Sequence, residues 1–156
     1  MLQELVGRTC DDVYYGPHGK PYLKKGPYFS ISHCKTAVAV AIDEEHELGI
    51  DIESIRHAEQ ALIERTMNKE EQTFIAYADN PDHAFTDLWT QKEAVLKARG
   101  TGIMDDLTNV LCGTRREVVI SHELLSLTFP AIDLQSLQHY TYVSIATVGS
   151  CPNNRG

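Results

Sequence analysis

The chain has 156 residues, of which 42% are hydrophobic and 23% are charged, and its formal net charge at pH 7 is −8. This length suits one globular domain, or two very small halves, with a core of ordinary size. The negative charge argues against a general nucleic-acid binder. We expect neither a signal peptide at Met1 nor a membrane-spanning helix, because no apolar run is long enough.

The first third of the chain predicts mainly strands. Residues 1–12 are expected to form a short helix, and residues 14–27, rich in Gly, Pro and Lys, are expected to turn at Gly19-Lys20-Pro21. Apolar runs predict three strands, at residues 28–31, 36–42 and 48–53. The acidic turn at residues 43–46 lies between the last two, so we predict that these two strands form a hairpin.

Helices are predicted next. A helical pattern covers residues 58–67, and Asn68 with Glu71 three residues later forms a capping-box signal for a second helix. A third helix is predicted from Pro81 to residue 99, with Gly100 as its C-terminal stop. Four further strands are predicted, at residues 109–112, 117–121, 124–129 and 140–147.

The order of these elements predicts an α+β fold, in which helices pack on an antiparallel sheet. No linker or low-complexity segment divides the chain. We therefore predict one domain at residues 1–150, followed by a loose tail at 151–156. The four cysteines include no C-x-x-C pair, which indicates a reduced cytoplasmic protein rather than a disulfide scaffold or a zinc site.

The charge is unevenly distributed along the chain. Residues 13–42 contain no Asp or Glu but contain four lysines, so this stretch carries +4 and the rest carries −12, which together make −8. The stretch could be an ordinary surface loop. Its functional interpretation is an anion-binding edge that faces an acidic strand.

That acidic strand is Gly49-Ile50-Asp51-Ile52-Glu53. Strand side chains alternate between two faces, so Asp51 and Glu53 lie on the same face and Ile50 and Ile52 on the other. The strand is predicted to be half buried, with a negatively charged second face. Adjacent carboxylates repel unless a cation lies between them, which favours a hard metal ion such as Mg²⁺.

The predicted third helix carries a ridge of residues at i, i+4 spacing, namely Phe85, Trp89, Glu93 and Lys97. Its two aromatic residues predict that the ridge faces the core. Glu93 and Lys97 then lie where the ridge leaves the core or lines a cleft. A third carboxylate and a lysine beside Asp51 would suit a phosphate-bearing substrate.

Simpler interpretations exist for each feature taken alone. A D-x-E pair is commonly a solvated strand face, and Glu93 with Lys97 could be a helix ion pair worth a few tenths of a kcal/mol. His33 at a strand end is commonly satisfied by backbone groups. Lys20 in a G-K-P turn is by itself only a turn lysine.

Four motifs in order change this balance: G-K-P-Y at 19–22, F-S-I-S-H at 29–33, G-I-D-I-E at 49–53 and W-T-Q-K-E-A-V-L-K at 89–97. Together they resemble the 4′-phosphopantetheinyl transferases of the surfactin-synthetase-activating type, over residues 16–102. The resemblance implies transfer of the phosphopantetheine arm of coenzyme A to a serine of an acyl or peptidyl carrier protein. It also implies the α+β fold of that family.

The resemblance implies roles for seven residues. Asp51, Glu53 and Glu93 would bind Mg²⁺, and Lys97 would reach the pyrophosphate of coenzyme A. Glu93, directly or through water, would help to deprotonate the attacking serine. The residues that would contact coenzyme A are Lys20, Ser32 and His33, with His33 near a phosphate.

Members of this type are built of two similar halves, and this chain begins only a short way before G-K-P-Y. We therefore expect the first pseudo-repeat to be incomplete. An exposed core at that place would favour a homo-oligomer.

Two alternatives stay open. One is a non-catalytic remnant that binds a carrier protein or coenzyme A. The other is a metal-dependent phosphodiesterase or nuclease, since carboxylates with a lysine also suit that chemistry. The acidic balance of the chain argues against the second.

Overall fold

The computed structural model describes residues 12–35, 37–102, 107–110, 117–120, 123–128 and 141–148. The helix predicted before residue 12, the strand predicted at 111–112 and the tail predicted at 151–156 lie outside the described residues. The division into one domain at 1–150 and a tail stays a prediction.

The N-terminal part of the described chain forms two small antiparallel pairs. Strands β1 (Val13–Tyr15) and β2 (Pro21–Leu23) pair across the predicted turn, where Gly19 takes a positive φ of 82°. Strands β3 (Tyr28–His33) and β4 (Val38–Asp43) pair with Ser32 opposite Ala39. The strands predicted at 28–31 and 36–42 are therefore confirmed.

The main sheet contains four antiparallel strands in the order β5-β8-β7-β6. Their bounds are β5 (Leu48–Ser54), β6 (Glu117–Ile120), β7 (Glu123–Thr128) and β8 (Thr141–Val148). Within β5 and β8, Asp51 lies opposite Ser144. The predicted hairpin of the fourth and fifth strands is wrong, because β4 pairs with β3 while β5 pairs with β8. The antiparallel α+β class is confirmed.

Strand β3 joins β5 through side chains rather than through a backbone ladder. The Oγ atoms of Ser30 and Ser32 accept hydrogen bonds from the backbone N–H groups of Ile50 at 3.1 Å and Ile52 at 3.3 Å. Serine hydroxyls thus take the place of strand carbonyls. This contact brings the small β3–β4 sheet against β5.

Three helices follow β5: α1 (Gln60–Thr66), α2 (Lys69–Tyr77) and α3 (Pro81–Arg99). The predicted capping box of α2 is confirmed, because the Asn68 side chain accepts from Glu71 N and Glu71 accepts from Asn68 N. The bounds of α3 are also as predicted, since Gly100 ends it with a φ of 69°. The 58–67 helix is confirmed but shorter.

A 3-10 turn, Leu107–Asn109, follows α3. The strand predicted at 109–112 is therefore wrong at Asn109. The physical reason is that the carbonyls of Leu107 and Val110 accept hydrogen bonds from a buried lysine of α3, Lys92, instead of a neighbouring strand.

Helix α3 lies at the centre of the core. Ala94, Val95 and Leu96 pack with Val110 and Ala146 on one side. On the other side Phe85 and Leu88 pack against α1 and α2, and Trp89 contacts both clusters. No helix of the described ranges is both long and apolar enough to cross a membrane.

Candidate functional site

The site begins with an unusually close contact between α3 and β5. A Cβ atom added to Gly49 would overlap the carbonyl oxygen of Ala94 and the backbone nitrogen of Ala98. Ala94, Ala98 and Gly49 therefore let the helix backbone rest directly on the strand backbone. Glu93 and Lys97, which flank this contact, are held over the carboxylate face of β5.

Strand β5 is more deeply buried than predicted, because α3 covers it. The strand was expected to be half buried, but its residues 48–52 are all buried, and Asp51 is only 4% exposed. That expectation is wrong because the helix lies on the Gly49–Asp51 face instead of solvent. A buried carboxylate needs partners, and Asp51 has two.

Those partners are Lys97 and Ser32. Lys97 Nζ lies 2.6 Å from Asp51 Oδ1 and 3.0 Å from Ser32 Oγ, and Ser32 Oγ donates to the same Oδ1 at 2.8 Å. The structure thus brings together three of the predicted site residues, from β3, β5 and α3. The ridge prediction for α3 is confirmed as well, since Phe85 is fully buried while the Lys97 side chain is 32% exposed.

Glu53 lies further along the same face of β5. Burial and the charge of Asp51 raise its pKa, and the charge of Arg56 and a hydrogen bond with Trp89 oppose that rise. Arg56 lies over the Trp89 ring, with its guanidinium carbon 4.9 Å from the centroid, an attractive cation–π arrangement. The predicted aromatic ridge therefore also supports one carboxylate of the site.

Glu93 is the third carboxylate. Burial is the main cause that raises its pKa, followed by the charge of Asp51, with Lys97 opposing. The charge of Glu53 raises it further and that of Arg56 lowers it. Three carboxyl groups therefore act on one another within a desolvated space, which stabilises bound protons or a bound cation.

Two carboxylate oxygens of this cluster are free to bind a proton or a cation. Asp51 Oδ2 and Glu93 Oε1 are buried oxygens without a hydrogen-bond partner among the described residues. Such oxygens are costly unless something binds them. Within the described ranges, no group of three or more His, Cys, Asp or Glu side chains is placed to hold a metal ion. An ion bound here would therefore need oxygens of water or of a substrate phosphate as further ligands, as Mg²⁺ commonly has.

A cavity of about 260 Å³ adjoins this cluster. The side chains of His18, Lys20, Ser30, Glu93 and Lys97 contribute its polar lining. A second cavity of about 330 Å³ shares Lys20 with it and adds Lys24 and Arg99 to its lining. Glu47, which is paired with Lys20, lines the second cavity as well. The anion-binding edge expected from the uneven charge distribution stays a prediction.

Lys20 and His33, two of the predicted coenzyme A contacts, lie outside the cluster of Asp51, Ser32 and Lys97. Lys20 lines both cavities, but its ammonium donates to Ala98 O at 2.7 Å and to Glu47 Oε2 at 2.9 Å, at the C-terminus of α3. His33 is exposed at the end of β3, outside the lining of the first cavity. It points to the opposite face from Ser32, because adjacent strand side chains alternate.

The sequence analysis did not identify Arg56 as part of the site. Its guanidinium lies over the Trp89 ring, and its charge lowers the pKa of Glu53.

Comparison with known proteins identifies related chains. Residues 47–147 match the family model described as "4′-phosphopantetheinyl transferase superfamily". The 4′-phosphopantetheinyl transferase AcpT of Salmonella typhi is 33% identical over 96 residues, 57% of this chain and 50% of that protein. The 4′-phosphopantetheinyl transferase psf-1 of Bacillus pumilus is 34% identical over 115 residues, 70% of this chain and 49% of that protein.

A third relative is the 4′-phosphopantetheinyl transferase gsp of Aneurinibacillus migulanus, 35% identical over 88 residues, 55% of this chain and 37% of that protein. This chain spans about half the length of the first two relatives. The solved structure of Thermotoga maritima holo-[acyl-carrier-protein] synthase has a TM-score of 0.48 and 17% identity, over 67% of this chain and 64% of that chain, which adds nothing to the family match.

Proposed function

This chain belongs to the 4′-phosphopantetheinyl transferase superfamily, and we propose that it transfers the 4′-phosphopantetheine group of coenzyme A to a serine hydroxyl of an acyl or peptidyl carrier protein. The observation that carries the proposal is that Lys97, which is paired with the buried Asp51, lines a cavity together with Glu93 and Lys20. The order of the four motifs further supports the surfactin-synthetase-activating type, and the cysteine pattern supports a cytoplasmic protein.

Asp51, Glu53 and Glu93 would hold Mg²⁺ in this proposal. The unpartnered oxygens of Asp51 and Glu93 support this assignment. A bound Mg²⁺ supplies charge neutralisation at the pyrophosphate oxygens during transfer. The residues of the chain hold and orient the reacting groups around it.

Glu93 is the proposed proton acceptor for the attacking serine hydroxyl. Its burial raises its pKa, so its carboxylate is a better base than an exposed glutamate. It lines the cavity, whereas Asp51 lies beneath Lys97. The position at the wall of the cavity supports a base role for Glu93 and a structural ligand role for Asp51.

The lysines would bind the anionic substrate. Lys97 is partly exposed and lines the cavity, so its ammonium can reach a pyrophosphate there. Lys20 contributes positive potential at the cavity, although its ammonium is bound to Glu47 and Ala98. His33 is the proposed contact of a more distant phosphate, at the open end of β3.

The decisive experiment is intact-mass spectrometry of an apo carrier protein incubated with this protein, coenzyme A and Mg²⁺. We expect a mass gain of one phosphopantetheine, which EDTA abolishes. Asp51→Asn and Glu93→Gln should each slow transfer by about 10³-fold, since each removes a metal ligand and Glu93→Gln also removes the base. Glu44→Gln, at an exposed turn residue, is the matched control and should leave the rate unchanged.

Three results would contradict the proposal in different ways. Transfer that survives both substitutions would remove the carboxylate site from the reaction. Binding of coenzyme A or carrier without any transfer would favour the non-catalytic alternative. Cleavage of DNA or RNA that requires Glu53 would favour the phosphodiesterase alternative.

Mg²⁺ is expected to raise the melting temperature less as the pH is lowered toward the raised pKa values of Glu53 and Glu93, because protons compete with the ion for these two carboxyl groups. The pKa of each lies above the ordinary 4.5. Without Mg²⁺, the free energy of unfolding is expected to fall, not rise, as the pH increases. The folded state binds these protons more tightly than the unfolded state, so these two groups destabilise it increasingly as pH rises through their raised pKa values.

Thermal unfolding over a pH series from about 7.5 downward to the ordinary glutamate pKa of 4.5, with and without Mg²⁺, measures both effects. The control is the double variant Glu53→Gln, Glu93→Gln, which should lose the pH dependence of the Mg²⁺ effect. An equal Mg²⁺-induced shift at every pH of the series in the unsubstituted protein would show that these carboxyl groups do not bind the ion.

A further inference from the structure

We propose that Glu47 is a built-in competitor for the anionic ligand at Lys20. In the free protein its carboxylate pairs with the Lys20 ammonium, so a phosphate group of the ligand must displace it to make the same contact. The inference rests on the proposed function, which makes the ligand coenzyme A, a phosphate-bearing molecule. It keeps the Lys20 contact that the resemblance implies and adds the residue that sets the affinity of that contact.

Lys20 is a wall residue of both cavities described above. It lines the first cavity together with Lys97 and Glu93, and the second together with Lys24 and Glu47. The Lys20 side chain is 20% exposed, so its ammonium is neither fully solvated nor sealed in the core. A phosphate that occupies either cavity therefore lies against a wall that includes this lysine.

Two acceptors hold the Lys20 ammonium. Its Nζ atom donates to Glu47 Oε2 at 2.9 Å and to Ala98 O at 2.7 Å, at the C-terminal end of α3. Ala98 is fully buried, and its carbonyl is fixed in the last turn of the helix. The Glu47 side chain is 49% exposed. The carboxylate can therefore turn into solvent, whereas the carbonyl cannot move away.

Only the side chain of Glu47 has to move for this exchange. Its backbone is anchored where β5 begins, because Glu47 O accepts a hydrogen bond from Val148 N at 2.8 Å. An ammonium group carries three protons, so Lys20 can keep its bond to Ala98 O while a phosphate oxygen takes the place of the carboxylate. The anchored backbone keeps the carboxylate within reach of Lys20 after the ligand leaves.

The charges of the three groups make the exchange favourable but lower the net affinity. An exposed ion pair contributes little to stability, since water screens it and two long side chains lose rotamer freedom. A terminal phosphate carries more negative charge than a carboxylate, so it is the stronger partner for an ammonium. While Glu47 stays in place, however, it offsets the charge of Lys20 and repels a phosphate from the lining of the second cavity.

The test measures binding of coenzyme A by calorimetry in EDTA, at low ionic strength. Glu47→Gln, which removes the charge and keeps the size, should bind coenzyme A about five-fold more tightly, which is the upper end of what an exposed ion pair opposes. Inorganic pyrophosphate, which carries phosphate charge without the rest of the ligand, should show a gain of similar size. In about 1 M salt the gain should fall below about two-fold, because the Debye length is then only about 3 Å.

Glu44→Gln is the matched control for this substitution. It makes the same change in net charge at an exposed residue of the turn that precedes Glu47, whereas the recorded partners of the Lys20 ammonium are Glu47 and Ala98. Its affinity for coenzyme A should be unchanged. Both variants should melt within about 4 °C of the unsubstituted protein, since neither residue supports the core.

A variant of Lys20 separates exchange at the ammonium from general repulsion. Lys20→Met should weaken coenzyme A binding by about 10-fold, the loss of one hydrogen bond to a charged group. In that background Glu47→Gln should bring little further gain, because Glu47 no longer has an ammonium to release. In the transfer assay, Glu47→Gln alone should lower KM for coenzyme A and leave kcat unchanged, as a change in ground-state binding does.

Other results would overturn the inference. Equal affinities of Glu47→Gln and the unsubstituted protein at low ionic strength would show that Glu47 does not compete. A gain of the same size in Glu44→Gln, or an undiminished gain in the Lys20→Met background, would reduce the effect to general charge repulsion. Transfer without any Glu47 effect on affinity would contradict this inference alone. The expected affinity pattern without transfer would contradict the proposed function alone, and no binding of either anion would contradict both.

Discussion

Gly49→Ala is expected to destabilise the protein by about 3 kcal/mol, at the upper end of ordinary overpacking costs. The added Cβ would overlap backbone atoms of Ala94 and Ala98 and lie 2.8 Å from the carbonyl carbon of Lys97. Backbone atoms cannot rotate away as a flexible side chain can. The helix must therefore move off β5, and the 2.6 Å contact between Lys97 and Asp51 must lengthen.

Two measurements check this expectation. Thermal unfolding should show a melting temperature lower by roughly 10 °C for a domain of this size. The intact-mass assay, run below that temperature, should show transfer slowed by about two orders of magnitude or more, because a shift of an ångström at a catalytic group has that effect.

The matched control for the helix contact is Gly16→Ala. It makes the same chemical change, but the added Cβ would meet only Lys20 O, at an ordinary 3.5 Å. Its stability should stay within about 0.5 kcal/mol of the unsubstituted protein. A Gly49→Ala variant that is as stable and as active as Gly16→Ala would show that the close approach of α3 is not required.

Lys92→Met is expected to destabilise the protein by about 3–5 kcal/mol, the cost of removing one partner of a buried ion pair. The Lys92 side chain is fully buried, and its ammonium binds Glu71 Oε2 at 2.8 Å, Leu107 O at 2.6 Å and Val110 O at 2.8 Å. Methionine fills a similar volume, but it leaves the buried Glu71 carboxylate without its counter-charge and removes the donor that Val110 O uses. Glu71 Oε2 keeps its bond from Asn68 N, and Leu107 O keeps its bond from Val110 N. The variant should therefore loosen the turn after α3 as well as the N-terminus of α2.

A double-mutant cycle separates the ion pair from the two carbonyl contacts. Glu71→Gln keeps the capping interaction with Asn68 and removes the charge. The pair Lys92→Met, Glu71→Gln should recover part of the lost stability, because no uncompensated charge stays buried. Chemical denaturation measures the free energy of unfolding of each variant.

Lys69→Met is the control for the lysine change, since Lys69 is an exposed residue of α2. It should alter the free energy of unfolding by no more than about 0.5 kcal/mol. If Lys92→Met costs no more than Lys69→Met, the buried network does not stabilise the fold.

Local chemistry was predictable because its causes are close together in sequence. The ends of α3 follow from Pro81 and Gly100, and the start of α2 follows from Asn68 and Glu71. These signals act through the hydrogen bonds of adjacent residues, which do not depend on the rest of the chain. The same holds for the common face of Asp51 and Glu53, which only requires a strand.

Pairing between distant segments was harder to predict. The β4–β5 hairpin was expected from a short acidic turn, yet the partner of β5 is β8, about 90 residues further along the chain. The strand predicted at Asn109 is wrong for a similar reason, because Lys92 of α3 donates hydrogen bonds to the carbonyls of Leu107 and Val110. Neither partner is visible in the local sequence.

The sequence by itself predicts which residues would carry the proposed chemistry: the carboxylates Asp51, Glu53 and Glu93 and the cation Lys97, from strand alternation, helical spacing and motif order. Only the tertiary structure decided how they meet. Contact between Gly49 and the backbone of α3 sets the depth of the site, and Ser32 bridges β3, β5 and Lys97. The first feature depends on how closely the two backbones approach, and the second on which groups from three segments meet at one hydroxyl. Both arise only when distant segments pack together, so no single position in the sequence reveals them.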